Sequence, residues 1–196
     1  MLIAWPSRTI HLALNVGEKM PFVSITEVEP PWIFGISALL GNGSIILPGN
    51  WCRIIAKNAT RPAADARSVA MLRYERILEE QRALLMPFAP SRMESVFVSP
   101  NIDSAQAFAQ VAYNRTDVLY FVEPIHSLER VFIAQWSLYN SKDLMKNAPG
   151  RPDRTDEELI AHMQTMATRY WIEPAIASAR ELLIPCGVRI IGIVDL

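Results

Sequence analysis

Arg180, Glu181, Leu182, Leu183, Ile184, Pro185, Cys186, Gly187, Val188, Arg189, Ile190, Ile191, Gly192 and Ile193 form the stretch whose reading decides the fold. A single acid stands near the start of an apolar run, a Pro-Cys-Gly turn interrupts it, and a second run rich in β-branched residues follows. That pattern predicts two strands joined by a tight turn. A carboxylate at the rim of a rigid sheet is held in one position, which is what a catalytic acid needs. Glu181 is therefore the first candidate residue.

Working outward, strands are expected at Thr9 to Val16, Pro21 to Val28, Trp32 to Ser37 and Ser44 to Leu47, set off by Pro30, Pro31, Gly41 to Gly43 and Pro48 to Asn50. Arg53, after the Pro-Gly-Asn turn, reads as part of another strand. Between Ala63 and Met86, Ala70, Tyr74, Ile77, Leu78, Gln81 and Leu85 recur at helical spacing, with Arg73, Arg76, Glu79, Glu80 and Arg82 as a solvated charged face. Ser95 to Ser99 alternates as a strand, and Asp103 with Gln106 suggests a capping box for a helix reaching Tyr113. Asp117 to Val122 and Val131 to Trp136 are further strands, and Thr155 with Glu158 caps a helix whose inward face carries Leu159, Met163, Met166, Tyr170 and Trp171. This mixed order predicts the α+β class with a largely antiparallel or mixed sheet.

The 196 residues suit one domain, 1–196, without repeats or a visible boundary. At 51% hydrophobic and 20% charged residues the chain can bury a sizeable core, which excludes a disordered chain. Its net charge of −1 gives no global attraction to nucleic acid or acidic lipid, though a local basic patch is invisible in such a sum. Cys52 and Cys186 are isolated, and His11, His126 and His162 lie far apart without ligand spacing, so neither a metal site nor a disulfide framework is expected. The apolar opening Met1 to Trp5 is cut short by Pro6 and Arg8, so no secretion signal or membrane span is expected. A reducing, cytoplasmic setting follows as the expectation, with delivery into a target cell without a cleavable signal left open. P-loop, Rossmann, serine hydrolase and kinase motifs are absent.

Three segments in order resemble the ADP-ribosyltransferase family, of the small bacterial or phage toxin and effector type. Trp32 to Ser37 with Leu39 to Gly49 is similar to its opening strand and following glycine-containing segment. Val96 to Pro100 with Ala105 to Ala109 is similar to the middle strand and the helix after it, and Glu181 to Gly187 to the strand bearing the essential Glu. The resemblance implies two small mixed or antiparallel sheets flanked by helices, with NAD bound in a cleft between them. It implies ADP-ribosyl transfer to a macromolecule, protein or nucleic acid, no membrane, and an antitoxin or immunity partner.

Under that resemblance Glu181 offsets the positive charge that builds on the ribose as the nicotinamide bond breaks, and Ser99 bonds the ribose or the carboxylate. Gly35 stands where the family places an Arg or His, so Arg53 or Arg92 is expected to take that role or to grip the pyrophosphate. Ala179, two positions before Glu181, replaces the acid or amide of members that modify arginine. Two rivals accompany this reading. One is a catalytically inactive ADP-ribosyltransferase-like module that binds a nucleotide or a protein; the other is an assembly protein with an accidental resemblance. Among the aromatic residues, Tyr113, Tyr120, Trp136, Tyr139, Tyr170 and Trp171 are read first as core and second as stacking platforms.

Overall fold

The two terminal runs are strands, but the turn between them carries the chain from one sheet to another. The computed structural model describes residues 22–24, 31–36, 39–61, 66–110, 118–128, 130–139 and 156–194. In chain order the strands are β1 Phe22–Ser24, β2 Trp32–Ile36, β3 Ile45–Ile46, β4 Val96–Val98, β5 Val118–Pro124, β6 Arg130–Gln135, β7 Arg180–Ile184 and β8 Val188–Ile193. One sheet has the order β1-β6-β7-β4 and the other β2-β5-β8-β3, every described pairing being antiparallel. Gly187 lets the crossing close up: a Cβ there would sit 2.9 Å from Ile125 Cδ1 and 3.2 Å from the Ile46 carbonyl oxygen. The chain is thus α+β with two antiparallel sheets.

The helices are α1 Asn50–Ala59, α2 Ala66–Leu85, α3 Ile102–Ala109 and α4 Asp156–Ile172, with short 3-10 turns at Arg92–Glu94, Trp136–Tyr139 and Ala177–Ala179. Alternation along the strands sorts the core into layers. Val96, Val98, Val131, Leu182 and Ile184 of the first sheet meet Tyr120, Val122, Val188 and Ile190 of the second. On the other face of the first sheet, Phe132, Ala134 and Leu183 pack against Tyr74, Leu78, Met163, Tyr170 and Trp171 of α2 and α4. Trp171 is fully buried, its ring centroid 5.1 Å from that of Phe132 and its indole donating to the Leu78 carbonyl at 2.8 Å. At about 25 cal/mol per Å² and roughly 200 Å², such a ring contributes about 5 kcal/mol before its lost entropy is counted.

Several expectations change. The Pro-Gly-Asn turn opens helix α1 rather than a strand, so Arg53 is helical. Gly49 stands at φ 74°, and a Cβ there would lie 2.9 Å from the Met93 carbonyl, so this glycine both starts the helix and lets it abut the turn at Arg92–Glu94. The cap of α3 is Asn101, whose side chain accepts from the Ser104 N–H at 2.9 Å, instead of Asp103 with Gln106. The space between the two sheets holds the apolar core just described. Thr9 to Val16, Tyr113 and Thr155 lie outside the described residues.

Candidate active site

Glu181 is the second residue of β7, opposite Ala134 of β6 and two before Leu183. The period of two therefore turns it toward the helices, onto the face occupied by Phe132 and Leu183. It is not a charge on an open rim. β7 lies between β6 and β4, and Glu181 is buried at 8% exposure.

What receives the carboxylate is a charged cluster assembled from the turn before β4 and from α1, α2 and α4. Arg92, in the turn before β4, donates from Nη1 to Glu181 Oε1 at 2.8 Å. The Tyr170 hydroxyl of α4 donates to the same oxygen at 2.7 Å. Arg92 Nη1 also meets the Tyr170 hydroxyl. The other edge of the guanidinium is gripped by Glu75 of α2, Nε to Oε2 at 3.1 Å and Nη2 to Oε1 at 3.3 Å. Trp51 of α1 completes the ring of donors, giving its indole N–H to Glu75 Oε1 at 2.8 Å. The guanidinium carbon lies 4.5 Å from the Phe97 and Tyr139 ring centroids and 4.7 Å from that of Tyr170, so rings close over the planar cation as fork-shaped bonds hold its edge.

Electrostatics follow from this enclosure. Burial works against the Arg92 charge, but Glu75 first, then Tyr170, Glu181 and Tyr139, more than offset it and hold the group well above its usual value. The Tyr170 hydroxyl is pushed well up by burial, with Arg92 opposing and Glu181 reinforcing the shift. Tyr139 is likewise raised, mainly by burial and then by Glu75. Its hydroxyl stands near Glu75 and Trp51, yet it is buried with no hydrogen-bond partner among the described residues, Trp51 having given its N–H to Glu75.

The three charged side chains differ in access: 1% exposed for Glu75, 4% for Arg92 and 11% for Glu181. Both bonds to Glu181 go to Oε1. Oε2 has none among the described residues and is not sealed away from solvent. One Glu181 oxygen is therefore fixed by two donors, and the other has no hydrogen bond among the described residues, on the most exposed of the three charged side chains.

Of the residues expected around a common site, the structure brings Glu181 and Arg92 into direct contact. Ser99 is buried just beyond β4, where the antiparallel register pairing Val98 with Leu182 runs on toward Glu181, but no hydrogen bond among the described residues joins it to the cluster. Arg53 is exposed on α1 and donates to the Pro48 carbonyl at 3.0 Å, away from Glu181. Gly35 pairs with Leu119 in the other sheet. Its neighbour Phe34 packs into the core between the sheets, so alternation turns Gly35 to the far side. Arg53 and Gly35 are thus not part of this cluster.

Three participants went unread in the sequence: Glu75, Trp51 and Tyr170 as a hydrogen-bond donor. For Glu75 a signal existed, since it lies four residues after Met71 and one after Tyr74, on the inward stripe of α2. An acid on a buried stripe demands a cation. No family model and no curated protein sequence matches the chain.

Proposed function

We propose that this chain is an NAD-dependent ADP-ribosyltransferase acting on a macromolecular target, with Glu181 at its centre. One observation carries the reading: Glu181 has one oxygen pinned by Arg92 and Tyr170 and the other without a hydrogen bond among the described residues, on the most exposed charged side chain of the cluster. A carboxylate so held can accept a ribose hydroxyl and offset positive charge on the sugar without reorganising. NAD supplies the ADP-ribose and the nicotinamide leaving group. Glu181 Oε2 fits the ribose as acceptor. Tyr170 and Arg92 orient it, and Arg92 takes no part in gripping pyrophosphate because its fork is already engaged by Glu75.

That same engagement favours a second reading, an inactive ADP-ribosyltransferase-like module for nucleotide or protein binding. Arg92 is occupied, and neither Gly35 nor Arg53 supplies the family's first-strand group at Glu181. Nicotinamide release from NAD, measured for the parent and for Glu181→Gln, separates the two. The transferase reading expects release by the parent and a loss of about 100-fold or more in the variant, the scale of one preorganised electrostatic group. NAD at 100 times its dissociation constant should also stabilise the parent by about 2.7 kcal/mol. Equal release by both proteins overturns the role of Glu181. Stabilisation by NAD with no release supports the binding module.

A further inference from the structure

The near-neutral whole conceals a basic segment. Between Asn50 and Arg76 the chain carries six cations, Arg53, Lys57, Arg61, Arg67, Arg73 and Arg76, against two acids, Asp65 and Glu75. Glu75 is turned inward and spent on Arg92, so it does nothing to neutralise the outer surface. Arg53, Lys57, Arg61 and Arg76 are exposed. Arg53 and Lys57 stand four residues apart on α1, about 6 Å along its axis and on one face, and Arg61 follows just past the helix end. Arg76 adds a fourth exposed cation from α2, the helix packed against α1.

We propose that this set of cations is a docking surface for the phosphodiester backbone of a nucleic acid, which would make nucleic acid the macromolecular target. Arginine predominates, and its planar fork matches phosphate oxygens better than a point charge does. Side chains one helical turn apart can meet successive phosphates of one strand. A lipid surface fits less well, because a helix lying on a membrane inserts a continuous apolar side, and here Ile55 is buried and Trp51 is bonded to Glu75 within the protein, which leaves Ile54 as the one large apolar side chain that α1 exposes.

The proposal rests on the transferase reading only in calling the bound strand the acceptor; the docking itself is read without catalysis. Fluorescent single-stranded DNA and RNA of one sequence are titrated with the full chain across a salt series, beside anionic phosphatidylserine vesicles and polyglutamate. With four phosphate contacts, log K should fall against log salt with a slope of about −2.8. The Lys57→Gln/Arg61→Gln/Arg76→Gln variant should lose about 2 from that slope and bind at least tenfold more weakly at low salt, with unchanged thermal unfolding. The DNA and RNA arms decide which polymer is preferred. A slope shallower than −1, a slope untouched by the triple substitution, or tighter binding to vesicles or polyglutamate than to either oligonucleotide overturns the proposal. Binding with this signature but no ADP-ribose transferred to the strand counts against the transferase reading and leaves the docking surface standing.

Discussion

Replacing Arg92 by Met removes the one cation shared by two buried carboxylates and leaves the aromatic cage of Phe97, Tyr139 and Tyr170 intact. Breaking a buried pair from one side typically costs about 3–5 kcal/mol, because the remaining charge is left without compensation. Here the cost is unequal. Glu181 has some access to water and can relax, whereas Glu75 is 1% exposed and among the described residues keeps only the Trp51 N–H. Most of a loss of about 4 kcal/mol should therefore come from Glu75. For a domain of this size about 1 kcal/mol moves Tm by roughly 2–4 °C, so Arg92→Met should unfold about 8–16 °C lower. Adding Glu75→Gln should recover about half of the loss, since the amide oxygen still accepts from Trp51 while the stranded charge is gone. Urea unfolding of the parent, both single variants and the double variant closes the cycle. A loss below about 1 kcal/mol for Arg92→Met, or a double variant no more stable than that single one, refutes the placement of the charge cost on Glu75.

The two tyrosines over Arg92 should behave oppositely: Tyr139→Phe deletes an unpartnered buried hydroxyl and should leave urea stability unchanged or raise it by about 1 kcal/mol, whereas Tyr170→Phe deletes bonds to charged groups and should lower it by about 2–3 kcal/mol. Equal losses for both would contradict the hydrogen bonding described. At Glu79, burial raises the carboxyl, but bonds from Arg82 and the Ser91 hydroxyl together with the Arg82 charge outweigh it, so the group is held low. Its contribution is present above the ordinary glutamate value of about 4.3 and lost as pH falls from there through the lower folded-state value. The stability gap between the parent and Glu79→Gln should therefore shrink on acidification, and a gap constant from pH 7 to 3 would sink that account.

Much of this fold was legible because its period was strong. Leu182 to Ile184 and Val188 to Ile193 read as strands, Tyr74, Ile77 and Leu78 mark α2, and Leu159, Met163, Tyr170 and Trp171 mark α4, each through spacing that the buried residues reproduce. The Pro48-Gly49-Asn50 turn misled because such a turn can open a strand or a helix, and what selects the helix is the approach of Gly49 to Met93, a contact 44 positions away in sequence. The site was legible only by half. Arg92 and Glu181 each stood out locally, but the join between them spans 89 residues and depends on the packing of α2 and α4 over the sheet. Arg53 and Gly35 looked equivalent to them by order along the chain and were separated by the helix and the second sheet.

The charge balance of the cluster still needs a cause. Two carboxylates share one guanidinium, so the enclosed group carries an excess of negative charge. Stability does not explain the excess, because even a balanced buried pair is often no better than apolar residues of the same volume. If Glu181 alone faced Arg92, the pair would be neutral and would offer little to a developing cation. With Glu75 occupying the other edge of the guanidinium, Arg92 is already engaged, and Glu181 is fixed by two donors without being the sole partner of that cation. The carboxylate left in excess is also the most exposed of the three charged side chains, and it is the one with a free oxygen. A ligand that gains positive character beside that oxygen completes the balance, which is the chemistry the proposed transfer of ADP-ribose requires.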